Sequence, residues 1–239
     1  MKSKKITETG DTENVFEDKY QEWWDENGAF KALHTFNLVR VKFLQDSLNL
    51  NNTEKLNKLK ILDIGCGGGI FCEPLTRLGA NVSGIDANKK AIKIAKKHAE
   101  SSNLKIEYLN TDITKFNSKN KFDVVTCMEV LEHVENIDLV LEHIKKNLKS
   151  GGLLIGSTIN KNLISLISAI FLAENILKIV PKKTHEWKKF IKPNYLKKQL
   201  LIKNFFDLTF DGLFYNPFLN SWKKIENKSV NYIFSAKLK

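Results

Sequence analysis

The stretch Lys60-Ile-Leu-Asp-Ile-Gly-Cys-Gly-Gly-Gly-Ile-Phe71, followed by Val82-Ser-Gly-Ile-Asp86, decides how this chain is read. An apolar run ends in an acid, Asp63. Glycines follow at Gly65, Gly67 and Gly69, then a helix-like segment, then a second apolar run that ends in Asp86. Strand, glycine turn, helix and second-strand acid in that order predict a nucleoside-binding crevice. Gly65 and Gly67 would let the backbone pass close to a ligand with no Cβ in the way. Asp86 is placed to accept both hydroxyls of a ribose.

The loop discriminates between ligands. A dinucleotide turn follows G-x-G-x-x-G, and here the sixth position is Ile70 rather than glycine. The pattern is D-x-G-x-G-x-G, with Asp63 two residues ahead of the first glycine. A carboxylate there repels a pyrophosphate and suits the ammonium and sulfonium of S-adenosylmethionine, so the electrostatics favour the methyl donor over NAD.

Working outward, β and α patterns alternate. Strands are expected at 60–64, 81–85, 105–109, 122–127 and 153–158, with helices at 71–78, 89–101 and 138–148 between them. Two more strands are expected near 206–214 and 230–236, as a terminal antiparallel pair. This predicts an α/β, Rossmann-like fold: a seven-stranded, mostly parallel sheet with helices on both faces. Residues 1–14 are polar and read as a disordered tail. Residues 15–239 read as one domain. It carries a helical cap at 15–50, with Phe16, Tyr20, Trp23, Trp24, Phe30, Leu33, Phe36 and Val39 as its buried side, and an insertion at 162–193.

Composition bounds the function. The chain has 239 residues, 42% of them hydrophobic, which suits one sizeable core. Its formal charge is +11, and only Arg40 and Arg77 are arginines. That excess fits either a codon bias toward lysine or attraction to an anionic membrane. The lysines are scattered without interleaved Arg and aromatics, so nucleic acid is not the expected partner. Cys66, Cys72 and Cys127 form no C-x-x-C pair, which points to a reducing, cytoplasmic setting without structural zinc. No apolar core follows the N-terminal lysines, so no export signal is read, and no apolar run reaches the roughly 20 residues a bilayer span needs.

Asp123-Val-Val-Thr-Cys-Met-Glu-Val-Leu-Glu-His133 is the second informative stretch. Its strand ends near Cys127 and the chain turns at Met128, at the carboxyl edge that faces the crevice of an open α/β sheet. Glu129, Glu132 and His133 stand at i, i+3 and i+4. On one helical turn they would share a face and could hold a divalent ion with open positions for substrate oxygens. The alternative is a solvated, charged helix start favoured by the helix dipole. Asp112, after the third strand, is placed either to accept from an adenine amino group or to cap a turn. Arg40 reads either as a surface ion pair or as a lid group closing over the carboxylate of the donor. Residues 162–180 are apolar with a polar stripe and flanking lysines. They suit either a helix covering the pocket or an amphipathic segment lying on an anionic bilayer.

The segments Phe16…Trp23-Trp24-Asp25…Gly28-Ala-Phe-Lys-Ala-Leu-His34…Asn37…Arg40, Asp63-Ile-Gly-Cys-Gly-Gly-Gly-Ile70 and Val124-Val-Thr-Cys-Met-Glu-Val-Leu-Glu-His-Val134 together resemble ubiquinone biosynthesis O-methyltransferases. So do Val180-Pro-Lys-Lys-Thr-His185 and Lys189-Phe-Ile-Lys-Pro193. The glycine loop alone fits any class I methyltransferase, whereas the Trp-Trp, Thr-His and Phe-Ile-Lys-Pro segments are far more specific. The resemblance implies methylation of 2-polyprenyl-6-hydroxyphenol and of 3-demethylubiquinol. It implies donor contacts at Arg40, Gly65, Asp86 and Met128, to which the loop reading adds Asp63, Gly67 and Asp112. It also implies a magnesium ion at Glu129, Glu132 and His133, which would make these three the catalytic residues.

The acceptor implied is membrane-resident. The chain is therefore expected at the inner face of the cytoplasmic membrane, with other quinone-synthesis proteins as potential partners. His133 or His185 is the alternative proton acceptor if no metal is used. The competing functions are methyl transfer to another small acceptor, and a non-catalytic donor- or lipid-binding subunit.

Overall fold

The computed structural model describes residues 23–28, 30–51, 55–162, 165 and 189–239. In chain order the elements are α1 (Lys31–Ser47), β1 (Lys60–Ile64), α2 (Cys72–Arg77), β2 (Asn81–Asp86), α3 (Lys89–Ser101), β3 (Glu107–Asn110) and β4 (Phe122–Met128). A single 3₁₀ turn (Leu131–His133) leads to α4 (Ile137–Asn147), β5 (Leu148–Ile159), α5 (Pro193–Ile202), β6 (Phe205–Asn216), β7 (Ser221–Ile225) and β8 (Asn231–Leu238). The strands form one sheet in the order β3-β2-β1-β4-β5-β8-β6-β7. The first five run parallel, while β8 lies antiparallel between β5 and β6.

Successive side chains on a strand point to opposite faces. Leu62 and Val125 therefore enter one core with Leu141, Leu154 and Phe234. Their neighbours Ile61 and Val124 enter the other, with Phe36, Ala95 and Ile233. Each large side chain so buried contributes about 1.5–3 kcal/mol. Asn88 caps α3 by accepting from the amides of Lys90 and Ala91. The order reverses between β1 and β4, and the carboxyl ends of β1, β2, β4 and β5 open onto one crevice there.

Four expectations need correction. The sheet has eight strands, not seven, because Ser221–Ile225 folds back on β6 as an edge strand. β5 starts at Leu148 rather than at 153, and its register against β4 shifts between Phe122 and Val124 to take up the glycine pair. An unanticipated helix, α5, begins with proline at its first position and buries Leu196 and Leu200. Trp23 and Trp24 lie in turns ahead of α1, not on a helix, because Asp25 draws the chain round: its Oδ1 accepts from the amide of Asn27, and its carbonyl from that of Gly28. The tail at 1–14, most of the 162–193 insertion, His185, Phe16 and Tyr20 lie outside the described residues.

Candidate active site

The glycine loop is built on left-handed backbone. Gly65, Gly67 and Gly69 have φ of 68°, 53° and 87°, where a side chain is strained. The amides of Gly65 and Cys66 both donate to the carbonyl of Ile85 at the end of β2, at 2.8 and 3.1 Å. That of Gly67 donates to Asp86 Oδ2 at 2.8 Å. Asp86 Oδ1 accepts from the Asn88 amide at 2.7 Å. Each carboxylate oxygen has a second lone pair, so Asp86 can hold the loop and still accept ribose hydroxyls.

Asp63 sits beneath the loop with both oxygens engaged. Thr126 Oγ1 donates to one at 2.6 Å, and Cys72 Sγ to the other at 3.2 Å. Burial pushes its carboxyl up to about 6. Asp112 closes its own turn, accepting from the amide and the hydroxyl of Thr114 at 2.6 and 2.7 Å. Met128 is buried at the end of β4, paired with Ser157.

The N-terminal cap is fastened directly onto this loop. Trp24 Nε1 donates to the carbonyl of Gly68 at 3.0 Å, and Asn37 Nδ2 to that of Ile70 at 2.7 Å. The indole of Trp23 lies so close that a Cβ on Gly67 would come within 2.4 Å of it. Trp24 in turn stacks on His98 of α3, ring centroids 3.5 Å apart and planes nearly parallel. The helical pattern of the sequence puts Trp23 and Trp24 in the core and gives Asn37 no role, whereas all three contact the loop. The signal was present in part, as two adjacent tryptophans beside an Asx turn.

Arg40 is buried, only 5% exposed, on the face of α1 toward the loop. Its guanidinium lies 4.1 Å over the Phe36 ring and 5.5 Å from that of Phe71. Its Nε finds no hydrogen-bond partner. Desolvation lowers its pKa to about 10 against the opposing pull of Glu129 and Asp63, so it remains a cation at pH 7. A buried cation with an unused donor suits the carboxylate of the donor's amino-acid end. Asn37 lies one turn back on the same helix, and its Oδ1 is likewise buried and unpartnered.

Glu129 follows β4 in a left-handed conformation, φ 55°, with its amide held by Ser157 O at 2.9 Å. Burial, with Glu132 second, pushes its carboxyl up to about 7, and its Oε1 has no hydrogen-bond partner. Glu132 also rises to about 7 on burial, while Thr158 Oγ1 donates to it at 2.7 Å. Burial lowers His133. The premise of one helical turn fails: Glu129 is left-handed, and only Leu131–His133 form a 3₁₀ turn. Among the described residues no three His, Cys, Asp or Glu are gathered closely enough to hold a metal ion. The two desolvated carboxylates, one of them with an oxygen that has no hydrogen-bond partner, are of the chemical type a hard cation takes, but with His133 they do not close a site in this arrangement. A Cβ on Gly65 would meet Val130 Cγ2 at 2.3 Å, which sets this acidic turn against the glycine loop.

Comparison with known proteins shows the family. Residues 55–230 match the family model described as a methyltransferase domain. The chain is 44% identical to a ubiquinone biosynthesis O-methyltransferase of Pelagibacter ubique over 223 residues, covering 89% of this chain and 91% of the relative. It is 42% identical to that of Bartonella bacilliformis, covering 90% of each. Among solved structures, magnesium protoporphyrin IX methyltransferase from Synechocystis PCC 6803 superposes with a TM-score of 0.68 at 19% identity, covering 95% of this chain and 98% of that one. Fold and loop place the chain among S-adenosylmethionine-dependent methyltransferases of the Rossmann-like class. Within that class it belongs to the ubiquinone biosynthesis O-methyltransferase family.

Proposed function

We propose that this chain transfers a methyl group from S-adenosylmethionine to a phenolic hydroxyl of 2-polyprenyl-6-hydroxyphenol and of 3-demethylubiquinol. The observation that carries the reading is the buried Glu129/Glu132 pair set against the donor loop beside buried, cationic Arg40. Arg40 and Asn37 would bind the amino-acid end of the donor, Asp86 its ribose and Met128 the wall beside its adenine. Asp63 would act from beneath through its field, and Asp112 at the adenine edge.

The acceptor hydroxyl must lose a proton that phenols hold to a pKa of ~10. Where no cation is bound, the Glu129 carboxyl, which burial pushes up to about 7, can take it. A divalent cation held by Glu129, Glu132 and His133, magnesium by its chemistry, would supply Lewis-acid stabilisation of the oxyanion. The cap excludes water and helps hold the acceptor oxygen in line with the methyl group. A polyprenyl acceptor resides in a bilayer, so the basic chain and the 162–180 segment are read as docking on the cytoplasmic membrane, within reach of other enzymes of the pathway. No helix of the described residues is long and apolar enough to cross a membrane.

The test is methyl transfer to a short-chain demethylubiquinol, with and without EDTA. Product that EDTA abolishes supports both the reaction and the cation. Product that survives EDTA keeps the reaction and assigns the proton to a protein side chain. No product, with donor binding confirmed, points to a different small acceptor.

A further inference from the structure

The β6–β7 hairpin carries a feature that methyl transfer does not use. β6 is antiparallel to β8, which is antiparallel to β5, so β6 runs the same way as β5. Its tip therefore emerges at the end of the sheet where the crevice opens. The pairing of β6 with β8 stops at Leu213↔Asn231, level with Ile159 of β5, while β6 continues to Asn216. Three further residues at ~3.3 Å each carry the tip about 10 Å beyond that edge.

The tip presents apolar side chains to solvent. Phe218 is 97% exposed, Leu219 70% and Phe214 51%. Leu38 of α1, 79% exposed, lies one turn from Thr35, whose hydroxyl donates to Asn220 in the same turn. The exposure is held in place. Asn216 Oδ1 accepts from the amides of Phe218 and Leu219 at 3.0 and 3.2 Å, and Tyr215 donates to Asn220 at 2.8 Å. Trp222 Nε1 ties the returning strand to the Ala32 carbonyl at 2.8 Å. Exposed Lys223 stands opposite Phe214 across the hairpin. Phe214, Phe218 and Leu219, held in water by one rigid turn, form an apolar cluster of the kind interaction sites use.

We propose that this tip is a wedge that inserts into an anionic bilayer and sets the crevice over it. The charge selects the occupant: a net +11 attracts an anionic surface and repels a second copy of the same chain. The shape agrees, because a narrow convex tip buries little area against a protein and enters a headgroup layer readily. This rests on the lipid-tailed acceptor proposed above.

The experiment is sedimentation of the full chain with phosphatidylglycerol-containing vesicles, for the wild type and for Phe218→Ser/Leu219→Ser. Turnover is measured in parallel on a soluble short-chain acceptor and on a long-chain acceptor in the vesicles. The expected result is about a tenfold loss of vesicle affinity, unchanged turnover on the soluble acceptor and reduced turnover on the embedded one. Unchanged affinity overturns the wedge. So does loss of a wild-type dimer, seen by ultracentrifugation, without loss of vesicle binding. If the double variant fails to fold, Phe218→Trp keeps the question open to measurement. Its fluorescence should be quenched by brominated acyl chains beyond the wild-type level, and an unchanged signal overturns the proposal. Absence of turnover on the soluble acceptor by the wild type would instead refute the acceptor assignment, leaving the insertion result to stand by itself.

Discussion

At the scale of single residues, the proposed donor end of the crevice rests on side chains the core has left incomplete. Arg40 and Asn37 each retain a buried atom without a partner, and such groups are costly unless a ligand satisfies them. Arg40→Ala should weaken donor binding by roughly two orders of magnitude and Asn37→Ala by about tenfold, read by calorimetry, beyond the loss of about 1 kcal/mol in stability that breaking the Asn37–Ile70 bond brings. Equal affinities for wild type and variants would remove both from the donor site. Asp63 makes a pH prediction. Its pKa is raised from 3.8 to about 6 in the folded state. Between these values the native chain holds the extra proton, so stability falls as pH rises from about 4 to 6 and the loss is complete above that range. Asp63→Asn should flatten that slope by about 2 kcal/mol between pH 4.5 and 7 relative to wild type, measured by denaturant melts at those two pH values. Parallel slopes in the two proteins would contradict the assignment.

At the scale of elements, the cap and the glycine loop form one unit. Gly67 is the point of greatest constraint, because its φ is 53° and the Trp23 ring fills the place of a Cβ. Gly67→Ala should displace the cap and abolish donor binding while the sheet still folds, as far-UV circular dichroism and a donor titration would show. Trp24→Phe keeps an aromatic on His98 and removes the bond to Gly68. A loss of about 1 kcal/mol in stability is expected, with donor affinity falling alongside it if the cap orders the loop. The parts of the fold that escaped the sequence reading are also elements. The helix Pro193–Ile202 starts on the proline that closes the insertion in the sequence, and its only local signal is the helical spacing of Leu196 and Leu200. β7 is short and half polar, so its alternation is weak, and only pairing with β6 makes it a strand.

For the whole molecule, charge and topology act together. Vesicle binding driven by a +11 chain should weaken steeply as salt is raised from low to physiological ionic strength, while turnover on a soluble acceptor changes little. Salt-independent vesicle binding would mean that insertion alone holds the chain there.

The sequence by itself determined the nucleotide half of the protein. Strand periodicity, the glycine spacing and the acids at Asp63 and Asp86 are local patterns, and each is imposed by backbone geometry over a few residues. It also singled out Glu129, Glu132, His133 and Arg40 as candidates, because such residues at the ends of strands and in caps are readable in one dimension. Tertiary structure alone decided how they stand. A left-handed residue at Glu129 replaced the expected helical turn. Arg40 became a buried cation rather than a surface one, and both oxygens of Asp63 were taken by Thr126 and Cys72. The hairpin tip likewise reached the mouth of the crevice only through the order of strands β5, β8 and β6. Burial and pairing between residues tens of positions apart depend on which surfaces meet in the folded chain, and no local pattern encodes them.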